Sequence, residues 1–299
     1  MKYFLTKTTY FLILIFLYYL LLASIVLISL PNLGYGYFLG DHNNINTKKI
    51  VLVGSSNIRH NFDVKLLNNT FNNYSIIGVD VDASSGLYIL LYKLKKLKLT
   101  HEDIVILCLP YHLYNDDMFL HISSKRKFYS SKLIISALLD FPTLTIKSLL
   151  SLNFYNLKNA TFVREDERFS YFKNTFFPSP LKSDSLYLNC FSSNENKFFI
   201  SDKDFDFNKN SIIRINHWIN EQFDAKILYR YPSLKKNNYQ LNDDKMSFLK
   251  ENFTFTNSFN NSIYDSHYFF NQWWHLNYCG SELNTSRLIK EIKNELNTN

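Results

Sequence analysis

Beyond residue 49, short apolar runs alternate with segments whose apolar residues recur at helical spacing. Four apolar runs predict buried strands, at 50–53, 75–79, 104–109 and 225–231. Amphipathic segments predict helices at 87–97, 211–223, 246–251 and 281–296. Strands that alternate with amphipathic helices indicate a three-layer α/β/α domain, with a central parallel sheet and helices on both faces.

The first 30 residues follow a different pattern. Residues 10–30 carry no charge, no glycine and no proline, and a helix that rises about 1.5 Å per residue would cross a bilayer core of roughly 30 Å with them. A cleaved signal peptide and a buried core helix are the alternatives. The length of the run and the lack of an A-x-A-like site after it favour a transmembrane signal-anchor.

Charges around this run predict its orientation. Lys2 and Lys7 precede it, and Asp41 is the first formal charge after it. The positive-inside rule places residues 1–9 in the cytoplasm and the remainder outside, in the periplasm or at the cell surface. We therefore expect a single-pass protein held in the lipid bilayer by residues 10–30, with a tether over 31–49 and a folded domain over 50–299.

The middle of the chain interrupts the alternating pattern. Residues 116–173 mostly favour helix, with Pro142 as a break, and residues 174–204 are rich in Ser, Asn and Phe without periodicity. The domain is thus expected to contain a largely helical insertion over about 116–204.

Composition narrows the classes of function. The chain has 299 residues, a formal charge of +7 and 46% hydrophobic residues, which excludes general disorder. Its charge forms no basic-aromatic stripe, so no nucleic-acid partner is expected. Its histidines lack zinc-binding spacing, so we predict neither a metal nor another cofactor. Three free thiols are favoured, and a Cys190–Cys279 bridge is the alternative.

A Gly-Ser-Ser-Asn sequence follows the first predicted strand directly, at residues 54–57. The carboxyl end of a parallel strand opens into the crevice where α/β proteins bind ligands, and a serine there can serve as a nucleophile whose neighbouring N–H groups hold an oxyanion. The alternative is that Ser55 or Ser56 only caps the next helix.

A histidine precedes the last predicted helix, in Trp274-His275-Leu276-Asn277. Because this helix should follow the final strand, His275 is expected at the same sheet edge as Ser56. A serine that attacks an ester needs a base within about 2.6–3.2 Å. The two residues together therefore predict acyl-transfer chemistry.

Five segments of the chain resemble the SGNH (GDSL-like) hydrolase superfamily, in particular its membrane-anchored branch related to alginate O-acetylation and D-alanyl-lipoteichoic acid proteins. The first and last segments are the most specific. The segments are VLVGSSNIRHNFD (51–63), IIGVDVDASSG (76–86), EDIVILCLP (102–110), AKILYRYPS (225–233) and HLNYCG (275–280).

The resemblance implies Ser56 as nucleophile and His275 as general base. It also implies an oxyanion site formed by the backbone N–H groups of Ser56 and Gly78. The superfamily often places an aspartate shortly before the histidine, but none of the four residues before His275 is acidic. Asp265 or Asn271 is therefore the candidate that orients the imidazole.

Two further residues are candidates for substrate binding. Arg59 lies one helical turn past Ser56 and would meet an anionic group, and Trp274 would stack on a sugar ring. Solvent exposure and ordinary packing are their alternatives.

Two functions follow from the resemblance. The first is an esterase or O-acyltransferase that acts on a cell-envelope glycan or acylated polymer. The second, favoured by the departures from the family pattern, is a non-catalytic SGNH-like module that binds a glycan or a membrane acyltransferase.

Overall fold

A computed structural model describes residues 7–11, 13–14, 17–18, 37–39, 47–80, 86–114, 119, 131–150, 190, 208–236, 243–269 and 275–297. Its strands are β1 (Tyr37–Leu39), β2 (Lys48–Gly54), β3 (Tyr74–Asp80), β4 (Ile104–Cys108), β5 (Lys226–Tyr229), β6 (Leu234–Lys235) and β7 (Ile263–Tyr264). Its α-helices with full bounds are α1 (Ser56–Asn61), α2 (Val64–Thr70), α3 (Leu87–Lys96), α4 (Ser131–Asp140), α5 (Pro142–Leu150), α6 (Lys209–Gln222), α7 (Asp243–Asn252) and α8 (Tyr278–Asn297).

Five of these strands form the central sheet in the order β1-β3-β2-β4-β5. Strands β3, β2, β4 and β5 are parallel, whereas β1 pairs with β3 in the antiparallel sense. The residues of β2 and β4 are almost all buried, as expected for strands that helices cover on both sides. The four strands predicted from apolar runs are therefore confirmed, and they form a parallel sheet.

Helices flank this sheet. Helices α1, α2 and α8 pack on one face through an apolar cluster that includes Ile58, Leu67 and Leu288. Leu228 of β5 belongs to this cluster, so the next residue, Tyr229, points to the opposite face. There the Tyr229 hydroxyl donates a 2.6 Å hydrogen bond to Asn216 Oδ1 of α6. The predicted α/β architecture is confirmed at this level.

The chain divides into two compact units. The sheet unit comprises Gly36–His121 and Glu165–Asn299, and the second unit comprises Met1–Tyr35 and Ile122–Arg164. Helices α4 and α5 belong to the second unit. Pro142, expected as a break, is the first residue of α5, a position where its missing N–H leaves no hydrogen bond unmade.

One feature near the N-terminus was not predicted, and one prediction falls mostly outside the described residues. The segment predicted as a tether contains β1, which extends the sheet beyond β3; a strand of three residues is too short to give a periodic signal. Within the part of the chain that the structure describes, no helix combines the length and apolar character that crossing a bilayer requires. Most of the predicted anchor, residues 10–30, lies outside the described residues.

Candidate active site

The turn after β2 depends on a glycine. A Cβ atom on Gly54 would lie 2.6 Å from the Cys108 carbonyl oxygen and 2.9 Å from Ile58 Cγ1. Any larger residue would therefore push β2 away from the end of β4 or displace α1. Glycine allows the chain to leave the sheet at this edge and to present the following serines in the crevice.

Ser55 and Asn57 fix the turn. The backbone N–H and the hydroxyl of Ser55 both donate to Asn57 Oδ1, at 2.8 and 3.0 Å. Asn57 Nδ2 donates in turn to the Cys108 carbonyl oxygen at 3.0 Å. Ser55 holds the N-cap position of α1 without a side-chain cap bond, so the capping hypothesis does not account for the side chain of Ser56.

Ser56 contacts the histidine predicted as its partner. The distance from Ser56 Oγ to His275 Nε2 is 2.8 Å, across 219 residues of sequence. Ser56 is partly buried, and His275 is 6% exposed. The separation lies within the roughly 2.6–3.2 Å needed for proton transfer from a nucleophile to a base. The expected convergence of the two side chains is therefore observed, while their catalytic roles stay predictions.

Buried asparagines position His275. Asn61, the last residue of α1, accepts a 2.9 Å hydrogen bond on Oδ1 from the N–H of Leu276. The Asn61 carbonyl oxygen accepts from Asn284 Nδ2 of α8 at 2.7 Å. Asn277 caps α8, because its Oδ1 accepts from the N–H of Gly280 at 2.9 Å. The helix that carries Ser56 is thus bonded directly to the segment that carries His275.

The environment of His275 disfavours its protonation. The pKa of His275 is lowered to about 2, mainly by burial and further by the neighbouring His60 and Arg59. The ring of His60 lies 4.2 Å from that of His275 between centroids, and burial with the charge of Arg59 lowers the pKa of His60 to about 4. Both imidazoles are therefore neutral at pH 7, the state in which His275 can accept a proton from Ser56.

A buried charge cluster lies at the end of the adjacent strand. Asp80, fully buried at the end of β3, is level with Gly54 in the sheet and forms an ion pair with Arg59 Nε. Lys93 Nζ donates to the Asp80 carbonyl oxygen. Burial lowers the pKa of Lys93 to about 8. The charge of Asp80 opposes this shift, and the charge of Arg59 adds to it. Arg59, predicted to meet a substrate anion, is thus held by a carboxylate of the protein.

The remaining sequence candidates are less well placed. Asp265 is largely exposed and forms a 3.5 Å ion pair with Lys236 Nζ, and it makes no hydrogen bond to His275. Gly78 lies inside β3, paired with Leu52 on one side and Leu39 on the other, so its N–H faces a neighbouring strand rather than the crevice. Neither position favours the role given to these two residues. Asn271 and Trp274 lie outside the described residues.

The cysteines differ from the favoured interpretation. Cys190 and Cys279 form a disulfide whose Cα atoms are 5.6 Å apart, and Cys108 is a buried free thiol. The prediction of three free thiols is therefore wrong, because sequence spacing does not reveal that two residues 89 positions apart meet. Among the described residues, no three His, Cys, Asp or Glu side chains are grouped as a metal site requires.

Sequence reasoning missed the asparagines that build the site. Asn57, Asn61 and Asn277 are each buried and hydrogen-bonded. Each lies within the segment, 51–63 or 275–280, that contains Ser56 or His275, but the abundance of asparagine throughout the chain hides this signal. The backbones around Ser56 and His275 are therefore fixed by polar residues that were not predicted to have this role.

Comparison of the sequence with models of known protein families and with curated proteins gives no match to either.

Proposed function

We propose that the protein is a membrane-anchored serine esterase or O-acyltransferase of the SGNH type, acting on a cell-envelope glycan or acylated polymer. The observation that carries this proposal is the 2.8 Å approach of Ser56 Oγ to His275 Nε2. The pair lies where β2 ends, at the carboxyl edge of the parallel sheet, which is the position of ligand sites in open α/β folds.

The reaction proceeds through an acyl-enzyme. His275 Nε2 takes the hydroxyl proton of Ser56 as Oγ bonds to the ester carbonyl carbon. The ester C–O bond then breaks, and the leaving oxygen takes the proton from His275. Water or a sugar hydroxyl next gives a proton to His275 and attacks the acyl carbon. The bond between the acyl carbon and Ser56 Oγ then breaks, His275 returns its proton to Oγ, and an acid or a new ester is released.

Two observations support a location outside the cytoplasm. The uncharged run 10–30 has the composition of a signal-anchor. The disulfide Cys190–Cys279 belongs to a class of bond that persists in oxidising compartments and is rare in the cytosol. A domain held at the membrane in this way is placed beside the polymers of the envelope.

Two observations favour a second candidate, a non-catalytic module that binds a glycan or a membrane acyltransferase. Asp265, the acidic candidate for orienting the imidazole, is paired with Lys236. The pKa of His275 is lowered to about 2, first by burial, so the imidazolium ion that acyl transfer requires is costly at this position.

Labelling with a fluorophosphonate probe tests the proposal. The full chain in detergent should be labelled, Ser56→Ala should not be labelled, and His275→Gln should react at least about 100-fold more slowly. Ser286→Ala is the matched control, since Ser286 is a partly exposed serine of α8 that hydrogen-bonds within its own helix, and it should react like the wild type. Absence of labelling in the wild type, with glycan binding that Ser56→Ala retains, would instead support the binding module.

A further inference from the structure

The two compact units differ sharply in charge. The unit formed by Met1–Tyr35 and Ile122–Arg164 contains nine basic residues and one acidic residue, a net charge of +8 in 78 residues. The sheet unit contains 24 basic and 25 acidic residues, a net charge of −1. The positive charge of the protein therefore resides in the smaller unit.

This basic unit also exposes large apolar side chains. Leu139 and Ile135 of α4 are 79% and 50% exposed, and Ile146 of α5 is 50% exposed. Ile135 and Leu139 are four residues apart and so share one face of α4. The opposite face is buried through Leu133, Ile134 and Ala137. Helix α4 is thus apolar on both its buried and its exposed face, which is unusual for a helix in contact with water.

No negative charge interrupts the exposed residues. The other exposed side chains described in α4 and α5 are Pro142, Thr143 and Lys147, and none of the exposed side chains described there is acidic. Asp140, the one acidic residue of the unit, is partly buried and accepts a hydrogen bond from Ser136 at 3.5 Å. The exposed side chains described in α4 and α5 therefore combine apolar area with one positive charge, that of Lys147.

The N-terminal part of the same unit continues this character. Of its described side chains, the large apolar ones are all about half exposed or more: Tyr10, Phe11, Ile13, Leu14, Leu17 and Tyr18. They belong to the uncharged run that is expected to enter the bilayer. Patches that join exposed apolar area to a strong charge of one sign mark interaction surfaces. A bilayer interface with anionic lipids offers acyl chains and negative headgroups together.

We propose that the unit of Met1–Tyr35 and Ile122–Arg164 is a membrane-binding unit, in which the exposed face of α4 and α5 lies in the interface of an anionic bilayer. The side chains of Ile135, Leu139 and Ile146 reach the acyl boundary, and the Lys147 side chain meets the headgroups. This contact is additional to the transmembrane run, and it does not depend on the chemistry of Ser56.

A fluorescent label at residue 139 tests this contact in the full chain. Leu139→Cys, labelled with an environment-sensitive dye and reconstituted into vesicles with anionic lipid, should emit at shorter wavelength and be quenched by lipids brominated on their acyl chains. Ile213→Cys on α6 is the matched control, because Ile213 is an apolar residue 45% exposed in the sheet unit, and it should show neither effect. Equal, water-like emission from both sites would overturn the proposal.

Two further experiments test the role of lipid charge and distinguish bilayer contact from self-association. Quenching at residue 139 should fall when the vesicles contain only zwitterionic lipid, and it should fall in anionic vesicles when Lys147→Glu is added. Quenching that is insensitive to both changes would overturn the role of charge. The shielding of the label at residue 139 from water is also measured in detergent, without lipid vesicles. If that shielding rises with protein concentration, the face binds a second copy of the chain, and the bilayer contact is overturned.

Discussion

At the scale of single residues, the site is held by polar groups that are fully buried and bonded. Asn57 joins the turn before Ser56 to β4, and Asn61 joins α1 to the residue after His275. A buried hydrogen-bonding group left without its partner costs about 1–3 kcal/mol, so each asparagine restrains the backbone around Ser56 or His275. The placement of Ser56 Oγ relative to His275 Nε2 therefore depends on residues other than these two.

Replacement of Asn61 should separate positioning from folding. Asn61→Ala leaves the N–H of Leu276 without an acceptor, which should destabilise the fold by about 1–3 kcal/mol and slow fluorophosphonate labelling of Ser56. Asn61→Asp retains an acceptor oxygen and should restore part of the labelling rate. Labelling rates measured alongside chemical unfolding check this. A rate unchanged in Asn61→Ala would show that the bond to Leu276 does not position the histidine.

The neutral histidines predict an unusual dependence of reactivity on pH. Since burial and its neighbours lower the pKa of His275 to about 2, the imidazole stays neutral in mild acid. The labelling rate of Ser56 should thus show no loss centred near the ordinary histidine value of about 6.5. A pH profile of the rate between about pH 8 and pH 5 measures this. A fall centred near the ordinary value would contradict the environment described for His275.

The same histidines link folding to pH. In the unfolded chain His60 binds a proton as the pH falls through about 6.5, whereas in the fold its pKa is lowered to about 4. The unfolded state then holds more protons, so stability is full above about pH 6.5 and decreases as the pH falls toward 4. His60 contributes up to about 1.4 kcal/mol per pH unit, and His275, whose pKa is also lowered, contributes a similar amount. His60→Asn should reduce this slope, while His101→Asn, at an exposed turn residue, should not.

At the scale of elements, the position of His275 depends on how α8 is attached to the sheet. Arg230, which follows β5 and is 1% exposed, donates from Nε and Nη2 to the carboxylate of Glu291 at 2.8 and 3.3 Å. Thr256 adds a 3.0 Å hydrogen bond to the same carboxylate. These bonds fix the middle of α8, and Asn277 fixes its start. Helix α8, which begins three residues after His275, is thereby held to the chain that follows β5.

Loss of the Glu291 carboxylate should therefore strongly destabilise the fold. Glu291→Ala leaves a buried guanidinium without its anion, which should lower the free energy of unfolding by about 3–5 kcal/mol. The exposed pair Lys48–Glu102 is the matched control, and Glu102→Ala should leave stability almost unchanged, because solvent screens such pairs. Chemical unfolding in detergent measures both. Equal effects of the two substitutions would contradict the structural role of the buried pair.

The elements themselves were largely predictable, because their apolar patterns are strong. Every central residue of β2 and β4 is apolar. Such a continuous apolar run is expected of a strand that helices cover on both faces. Strand register was not predictable. Gly78 was expected at the oxyanion site, yet it pairs with Leu52, two residues before the edge at Gly54 and Asp80. The apolar pattern shows which residues form a strand, whereas the pairing between strands determines how far each residue lies from the edge of the sheet.

At the scale of the whole molecule, contacts between residues distant in sequence determine features that local sequence patterns do not reveal. The meeting of Ser56 and His275 was predictable, because both stand at ends of elements that a parallel sheet brings to one edge. The disulfide and the division into two units were not, since neither leaves a local signal. Residues 122–164 lie within the insertion predicted over about 116–204, and in the structure they form one compact unit with residues 1–35.

The disulfide gives a prediction at this scale. It closes a loop of 89 residues between Cys190 and Cys279, so its reduction, or the double substitution to serine, should lower the free energy of unfolding by about 2–4 kcal/mol. Unfolding with and without reductant measures the difference. Cys108 is buried and free, so the reductant has no bond to break there. Identical unfolding curves would contradict a contribution of the bond to stability.

Mapping the fluorophosphonate adduct by mass spectrometry tests the central claim most directly. The modified peptide of the wild-type chain should carry the phosphonyl group on Ser56, and its rate of formation should fall by at least about 100-fold in His275→Gln. An adduct on another residue, or one on Ser56 that forms equally fast without the histidine, would contradict the account of Ser56 and His275 as a nucleophile and its base.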